Sequence, residues 1–462
     1  MERLIIVSAD GHLGAQPETY REYLEPAFRA SLADLERDNR WFLDAQKSLR
    51  PTLPADMLEA VDSQYALRSG GEQGGFDIGR RMRELDREGV TAEIVFPGHQ
   101  VAIQPFFSVI NNPFPPELRA AGARAYHRWA SDCFAESQGR MFGVADPGPC
   151  LDMDATLREL RWCAEHGFRS VQLPGNTADR ALPPLTDQYF EPFWSSCEEL
   201  GLVLAAHAGY GHEQGRFTEF ARGFLDRVVK AGKSDDGGSM MQAFESAEDS
   251  PLQLDMGPRR VVWQLMLGGV FDRHPKLRLG LTEVRADWLP PTLRHLDLLA
   301  AKQKTPLSMK PSEYWSEHCF ITPSSIHICE MEMRREIGVD RLLFGTDYPH
   351  PEGTWPNTQD WIRATFKRVP EREARAILGE NAIRCYGLDR DRLTAIAGRI
   401  GPRSEDVLGE DHVVDPICVR HFHQRGGLLH GPERVDTASI EALFSEDLSR
   451  VGANPTSTCS PS

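Results

Sequence analysis

Short runs of apolar, often β-branched residues alternate along this chain with longer amphipathic stretches. The first run, residues 4–7, reads Leu-Ile-Ile-Val and leads into Asp10, Gly11 and His12. A short apolar run bounded by polar residues predicts a buried strand, whereas apolar residues every three or four positions predict a helix. Strands that alternate with helices predict a parallel sheet covered by helices, because parallel neighbours need a crossover connection.

The alternation supplies eight strand-then-helix units, which is the count of a closed (β/α)8 TIM barrel. An open, doubly wound sheet is the alternative. Such a sheet is expected to carry a Gly-rich phosphate-binding turn after its first strand, and none follows here. The predicted strands are residues 4–12, 92–96, 141–145, 170–174, 202–207, 277–283, 319–322 and 341–344.

Two long segments interrupt this rhythm, residues 13–79 after strand 1 and residues 208–257 after strand 5. Loops of this length inside a compact domain are usually functional, so we expect long insertions at these places. The composition changes after Leu388. The sequence therefore predicts a barrel domain over 1–388 and a C-terminal extension over 389–462, packed on the barrel or on a neighbouring subunit, whose last ten or so residues are disordered.

Charge and cysteine content limit which classes of partner and which cellular compartment we expect. The chain has 52 Lys and Arg against 68 Asp and Glu, a formal charge of −16, which disfavours nucleic acid and anionic membranes as partners. Its nine cysteines form no Cys-x-x-Cys pair, and the chain shows neither a membrane-length apolar stretch nor a signal-like start. We expect a cytoplasmic homodimer or higher homo-oligomer that acts on a small molecule.

Candidate metal ligands lie at the predicted strand ends. Asp10 and His12, two residues apart, point to the same side of strand 1. His207 ends strand 5, Glu283 ends strand 6 and Asp347 follows strand 8. Each has an ordinary structural explanation alone, but the carboxyl ends of barrel strands meet at one mouth. Two imidazoles with carboxylates suit one divalent ion, Zn²⁺ in the first place and Mn²⁺ as the alternative.

A divalent cation at such a mouth lowers the pKa of bound water from about 15.7 toward about 7, which provides hydroxide at neutral pH. The proton then needs a base, and Glu283 or Asp347 stands close enough for that role. Polar and aromatic residues that follow the strand ends are the candidates for substrate contact: His99, Tyr210, His212, Arg285, His350 and Trp355.

Four motifs resemble those of a known family: Ser-Ala-Asp-Gly-His at 8–12, Leu-Ala-Ala-His at 204–207, Gly-Val-Phe-Asp-Arg-His-Pro-Lys-Leu at 269–277 and Phe-Gly-Thr-Asp-Tyr-Pro-His at 344–350. The chain resembles the amidohydrolase superfamily, in the amidohydrolase-2 branch that includes aminocarboxymuconate semialdehyde and resorcylate-type decarboxylases. The resemblance spans about residues 4–388. It implies a TIM barrel with one divalent metal held by Asp10, His12, His207 and Asp347.

Two positions depart from that branch. Asp10 stands where His or Glu is common, and Thr-Glu-Val-Arg at 282–285 stands where decarboxylase members commonly carry a catalytic His. The second departure puts decarboxylation in doubt and leaves hydrolysis or hydration equally open. A carboxylate beside a divalent metal is expected to be ionised at neutral pH, so Glu283 or Asp347 can accept a proton from metal-bound water, which favours a metal-dependent hydrolase of a small amide, cyclic or carboxylate-bearing substrate. The alternative is a non-oxidative decarboxylase of an aromatic or unsaturated carboxylic acid. A remote alternative is a catalytically silent barrel that binds a metal or a partner.

Overall fold

The computed structural model describes residues 3–33, 36, 53–98, 114–175, 182–211, 251–303 and 307–453. Seven parallel strands form one sheet in sequence order, each hydrogen-bonded to the next. The order and direction are those predicted from the strand-then-helix alternation. The strands are β1 (Val7–Leu13), β2 (Ala92–Pro97), β3 (Met141–Ala145), β4 (Phe168–Gln172), β5 (Val203–His207), β6 (Leu279–Thr282) and β7 (Cys319–Thr322).

Residues 341–348 lie between β7 and β1 and close the sheet into a barrel. The Leu343 amide donates to the Ile321 carbonyl at 2.8 Å, and the Ala9 amide donates to the Phe344 carbonyl at 2.7 Å. The pairing consists of isolated parallel bridges rather than a continuous strand, and the backbone turns at Asp347, whose φ is +54°. The eighth unit is therefore present, as predicted.

Helices cover the outside of this barrel. The units up to β7 contain α1 (Ala55–Val61), α2 (Ile78–Glu88), α3 (Pro116–Glu136), α4 (Met153–Glu165), α5 (Glu191–Leu200), α6 (Pro251–Leu267), α7 (Val270–Arg273), α8 (Leu289–Ala300) and α9 (Pro311–His318). After β7 follow α10 (Ile328–Ile337), α11 (Thr358–Thr365), α12 (Glu371–Arg375), a π-turn (Ala376–Glu380), α13 (Asn381–Tyr386), α14 (Arg390–Ile400), α15 (Ser404–Val407), α16 (Pro416–Gly426) and α17 (Thr437–Ala453).

Local sequence explains several of the helix ends. Asp77 and Asp152 each accept a hydrogen bond from an amide in the first helical turn that follows them, which satisfies a donor that the helix itself cannot. Gly89 ends α2 in the left-handed region, with φ of +74°, where a Cβ would be strained.

Alternate strand residues such as Val7, Ala9, Ile94 and Ala205 belong to an apolar cluster that fills the barrel. The other strand face packs on the helices. The register of β1 against β2 shifts between Ser8 and Gly11. This irregularity lets Ala9 and the adjacent Asp10 both face inward, which a regular strand cannot do.

The C-terminal extension packs on the barrel. The Phe422 ring of α16 lies 5.1 Å from the Trp361 ring of α11, and Ile440 and Phe444 of α17 join Trp263 of α6 in a buried cluster. Most of the predicted insertion after strand 5 (212–250) and the predicted disordered end (454–462) lie outside the described residues.

The eight cysteines within the described ranges are all free and buried. Within those ranges, none of the helices combines the length and the apolar character needed to cross a membrane.

Candidate metal centre

His12 presents one ring nitrogen to the mouth of the barrel. Its Nδ1 donates to the Gly98 carbonyl at 3.1 Å, so Nε2 carries the free lone pair. That Nε2 lies 3.5 Å from Asp10 Oδ1 and 3.3 Å from Asp347 Oδ1. Burial, together with the nearby His350, lowers the pKa of His12 to about 4, which keeps its imidazole in the neutral form that binds metals.

His207 at the end of β5 reaches the same point from across the barrel. Its Nδ1 donates to the Ala208 carbonyl at 3.1 Å, and its Nε2 lies 3.7 Å from Asp10 Oδ1 and 3.4 Å from Glu283 Oε2. Burial disfavours the charged imidazole, but Asp10 and Glu283 outweigh it and raise the pKa of His207 to about 9. A proton therefore occupies this position at neutral pH unless a cation displaces it.

Asp347 and His350 come from the turn after the eighth strand segment. Asp347 Oδ1 lies 3.0 Å from His350 Nδ1, and the His350 ring stacks on that of His12 with centroids 3.9 Å apart. Although burial opposes it, the neighbouring imidazoles hold the pKa of Asp347 well below its usual range. The same carboxylate raises the pKa of His350 to about 10 against the effect of burial. Asp347 is thus an ionised carboxylate.

Glu283 lies at the rim of this group, with 31% of its side chain exposed. Its backbone adopts a φ of +56°, which turns the chain out of β6 at this residue. Carboxylate oxygens of Glu283, Asp347 and Glu352 lie within 4.8 Å of one another. Desolvation and these neighbouring carboxylates raise the pKa of Glu283 well above its usual value, against the opposite effect of His207. We refer to Asp10, His12, His207, Glu283, Asp347 and His350 as the strand-end cluster.

The unpaired polar atoms of this cluster fit a divalent cation. Apart from the ion-pair contacts given above, several buried atoms make no hydrogen bond among the described residues, namely Asp10 Oδ1, His12 Nε2, His207 Nε2 and both carboxylate oxygens of Asp347. Leaving a buried polar group unpaired costs about 1–3 kcal/mol each, so their convergence needs a ligand to offset it. Ligand atoms of Asp10, His12 and His207, and likewise those of His12, Asp347 and His350, lie within 4.8 Å of one another.

Sequence reasoning missed the residues that orient these ligands. Ser324, just after β7, donates a hydrogen bond to Asp10 Oδ2. Ser8 Oγ donates to the Asp10 carbonyl at 2.6 Å and accepts from the Thr346 amide at 2.9 Å. Gly345 allows the close approach, since a Cβ there would lie 2.9 Å from that of Asp10. Inspecting the end of strand 7 with the other strand ends would have found Ser324.

The structure places three of the predicted substrate contacts in other interactions. The Tyr210 hydroxyl donates to the Pro174 carbonyl at 2.9 Å. Arg285 pairs with Asp287, Nη2 to Oδ2 at 2.6 Å, because that carboxylate follows it by two residues. The Trp355 indole is buried and donates to Glu84 Oε2 at 3.1 Å. Of the other three, His350 lies within the cluster, while His99 and His212 lie outside the described residues.

A closed parallel barrel with imidazoles and carboxylates at its strand ends defines a class of metal-dependent TIM-barrel enzymes. A family model described as Amidohydrolase (Amidohydro_2) matches residues 70–388, more than half of the chain. The chain belongs to this amidohydrolase family, and it is an enzyme of its metal-dependent type. The resemblance seen in the sequence motifs is thereby confirmed.

Among curated relatives, the gamma-resorcylate decarboxylase of Rhodococcus jostii (strain RHA1) is 25% identical over 280 residues, which cover 58% of this chain and 76% of that protein. The gamma-resorcylate decarboxylase of a Polaromonas species is 26% identical over 322 residues, covering 67% of this chain and 87% of that protein. Both relatives are named as decarboxylases, whereas the sequence analysis favoured a hydrolase and kept a decarboxylase as its alternative.

Solved structures share the fold. The 5-carboxyvanillate decarboxylase of Sphingomonas paucimobilis has a TM-score of 0.54 at 19% identity and covers 84% of this chain and 100% of its own. A dihydroxybenzoic acid decarboxylase from a Polaromonas species, with bound manganese and the inhibitor 2-nitroresorcinol, has a TM-score of 0.53 at 18% identity, covering 84% of this chain and 99% of its own. At such identity the likeness establishes the barrel alone.

Proposed function

We propose that this protein is a metal-dependent, non-oxidative decarboxylase of a small aromatic carboxylic acid. The relatives matched by sequence are gamma-resorcylate decarboxylases, whereas hydrolysis is supported only at the level of the family. The observation that carries the proposal is the placement of a rim carboxyl group, Glu283, beside the candidate metal ligands, with its Oε2 3.4 Å from His207 Nε2. The neighbouring imidazoles lower the pKa of Asp347, and desolvation raises the pKa of Glu283.

Decarboxylation requires a site that binds the substrate carboxylate and an acid that supplies a proton to the ring carbon. The bond between a ring carbon and its carboxylate breaks, the electron pair remains on the carbon, carbon dioxide leaves, and a proton from an acid takes its place. No oxidant or water is consumed. A divalent cation held by Asp10, His12, His207 and Asp347 would fix and polarise the substrate oxygens. The chain itself must supply the proton.

We assign the proton to Glu283. The sequence favoured Glu283 as a base, whereas desolvation and the surrounding carboxylates raise its pKa against the opposite effect of His207, which is the direction that a proton donor needs. Carboxyl groups whose pKa values are pushed apart in one site commonly divide the roles of acid and ion. Asp347 is the ionised partner here. Because 31% of the Glu283 side chain is exposed, solvent can replace the proton that Glu283 donates.

The donor set accommodates either Zn²⁺ or Mn²⁺, since two imidazoles and two carboxylates suit both ions. We propose one divalent cation per chain and test both ions. Small aromatic acids remain the proposed partners, and a homodimer or higher homo-oligomer in the cytoplasm stays a prediction.

Isotope labelling separates the two chemistries. Protein loaded with manganese is incubated with 2,6-dihydroxybenzoate or 5-carboxyvanillate in deuterated water. We expect release of carbon dioxide and one deuterium at the vacated ring carbon, seen by NMR. In ¹⁸O-labelled water the remaining product should carry no label. Labelled oxygen in the product without carbon dioxide release would establish hydrolysis instead. Stoichiometric manganese without turnover of either acid, or of a panel of amide and cyclic substrates, would favour the silent barrel.

A further inference from the structure

Residues 425–433, here called the C-terminal strap, run from the end of α16 across three loops at the carboxyl end of the barrel. These loops follow β6, β7 and the eighth strand segment, and they carry Glu283, Ser324 and His350 respectively. The strap lies outside residues 70–388, which the family model matches, so the match does not account for it.

Arg425 holds the loop after the eighth segment. Its side chain is buried, with only 8% of the residue exposed. Nη1 donates to the Trp355 carbonyl and Nη2 to the Thr354 carbonyl, both at 3.0 Å. This planar fork on two successive carbonyls is a geometry that a guanidinium supplies and an ammonium does not. The neighbouring Gly426 packs so closely that a Cβ would lie 2.8 Å from the Glu352 carbonyl oxygen.

The strap also holds the loop after β7. His327 Nε2 donates to the Gly426 carbonyl at 2.7 Å, and the Ile328 amide donates to the Leu428 carbonyl at 3.3 Å. This loop contains Ser324, whose hydroxyl donates a hydrogen bond to Asp10 Oδ2. The strap therefore contacts the loop after β7, and this loop in turn contacts Asp10, a candidate metal ligand.

The third loop, after β6, is held near the end of the strap. Arg285 Nη2 donates to the Gly431 carbonyl at 2.9 Å, and the Glu433 amide donates to Asp287 Oδ2 at 2.6 Å. The Glu433 side chain in turn accepts two hydrogen bonds from Arg259 of α6, each 2.8 Å long. The strap thus connects the loop that carries Glu283 to the helix behind it.

We infer that the C-terminal strap is a positioning device that holds these three active-site loops in register, with Arg425 as its principal positioning residue. Arg425 touches no member of the strand-end cluster and acts through the loop that carries His350. Holding reacting groups in place matters because a misplacement of about 1 Å can cost on the order of 10²-fold in rate. The effect on rate rests on the proposed function, whereas the effect on loop mobility does not.

The test compares two variants of the full-length protein. Arg425→Ala removes the fork on the Thr354 and Trp355 carbonyls. Asp447→Ala is the matched control, because Asp447 anchors the same extension through Arg260, with bonds of 2.7 Å, to helix α6 rather than to the loops. Amide hydrogen exchange and kcat/KM are measured for both, with unfolding temperature recorded alongside.

For Arg425→Ala we expect amide exchange in residues 324–328 and 350–357 to accelerate about tenfold or more, and kcat/KM to fall roughly 10- to 100-fold. Asp447→Ala should accelerate exchange only in α6 and α17 and leave kcat/KM unchanged. Arg425→Lys keeps the charge without the fork and should give an intermediate result. If Arg425→Ala does not fold, Arg425→Lys carries the same comparison.

Exchange in the loops at the wild-type rate in Arg425→Ala would overturn the inference, and so would equal acceleration in Asp447→Ala. If no form of the protein decarboxylates either acid, the proposed function fails while the exchange comparison still decides the role of the strap.

Discussion

The strand-end cluster has a counterpart of similar composition on the outer helices. His127 on α3 and Glu159 and Cys163 on α4, here called the helix cluster, also offer ligand atoms within 4.8 Å of one another. Both clusters are buried apart from one partly exposed glutamate each, Glu283 and Glu159, and both combine imidazole with carboxylate. They differ in how their polar atoms are satisfied.

Each ring nitrogen of His127 has a partner. Its Nδ1 donates to Glu159 Oε1 at 2.8 Å, and its Nε2 accepts from the Asp146 amide at 3.0 Å. Arg128 forks onto the same Glu159 carboxylate. Burial raises the pKa of the Cys163 thiol well above its usual value, which leaves it protonated and a poor ligand. A satisfied cluster is structural, whereas one with several unpaired buried atoms is prepared for a ligand.

The largest expected effect is on metal binding at the strand-end cluster. His207→Ala should abolish stoichiometric metal and activity while the fold persists, because an unpaired ligand atom is removed; His12→Ala and Asp347→Ala should do the same. Elemental analysis measures the metal and circular dichroism the fold. His127→Ala is the matched control and should retain metal. A His207→Ala protein with one bound metal per chain would disprove the ligand assignment.

The next effect concerns proton delivery. Glu283→Gln preserves shape but cannot give up a proton, so the rate should fall by roughly 10²- to 10⁴-fold while the metal is retained. Pre-steady-state measurement of carbon dioxide release against deuterium incorporation locates the lost step. A variant with the wild-type rate would remove Glu283 from the chemistry.

Proton release gives a third, smaller effect. The folded-state pKa of His207 is raised to about 9, so a proton must leave before this nitrogen can bind a cation. Manganese affinity should therefore rise by about tenfold per pH unit between pH 6.5 and 8.5 for that one proton. Titration calorimetry in two buffers of different ionisation enthalpy counts the proton. An affinity independent of pH would show that His207 is already neutral.

The smallest effect is on stability at the helix cluster. His127→Ala breaks two satisfied hydrogen bonds and should cost about 1–3 kcal/mol in the free energy of unfolding. Urea denaturation of the metal-loaded protein measures this cost. Loss of metal from this variant, with the strand-end cluster unaltered, would remove the distinction between the two clusters.

The sequence by itself determined the barrel and its metal-ligand candidates. Strand-then-helix alternation fixes the order of the sheet, and a parallel barrel brings all strand ends to one mouth. Asp10, His12, His207 and Asp347 could therefore be placed together although more than 300 residues separate the first from the last. Periodicity and topology, both readable along the chain, carry that inference.

Only the tertiary structure decided what surrounds those ligands. Burial of Glu283, together with carboxylates that the fold brings to it from other parts of the chain, raises its pKa, a direction that the sequence did not predict. Arg285 and Trp355 lie next to strand ends. The guanidinium of Arg285 nevertheless pairs with Asp287, and the indole of Trp355 donates to Glu84. The hydrogen bond from Ser324 to Asp10 likewise joins residues 314 positions apart. Such contacts depend on the paths of loops and on competition between partners, which no local pattern along the chain records.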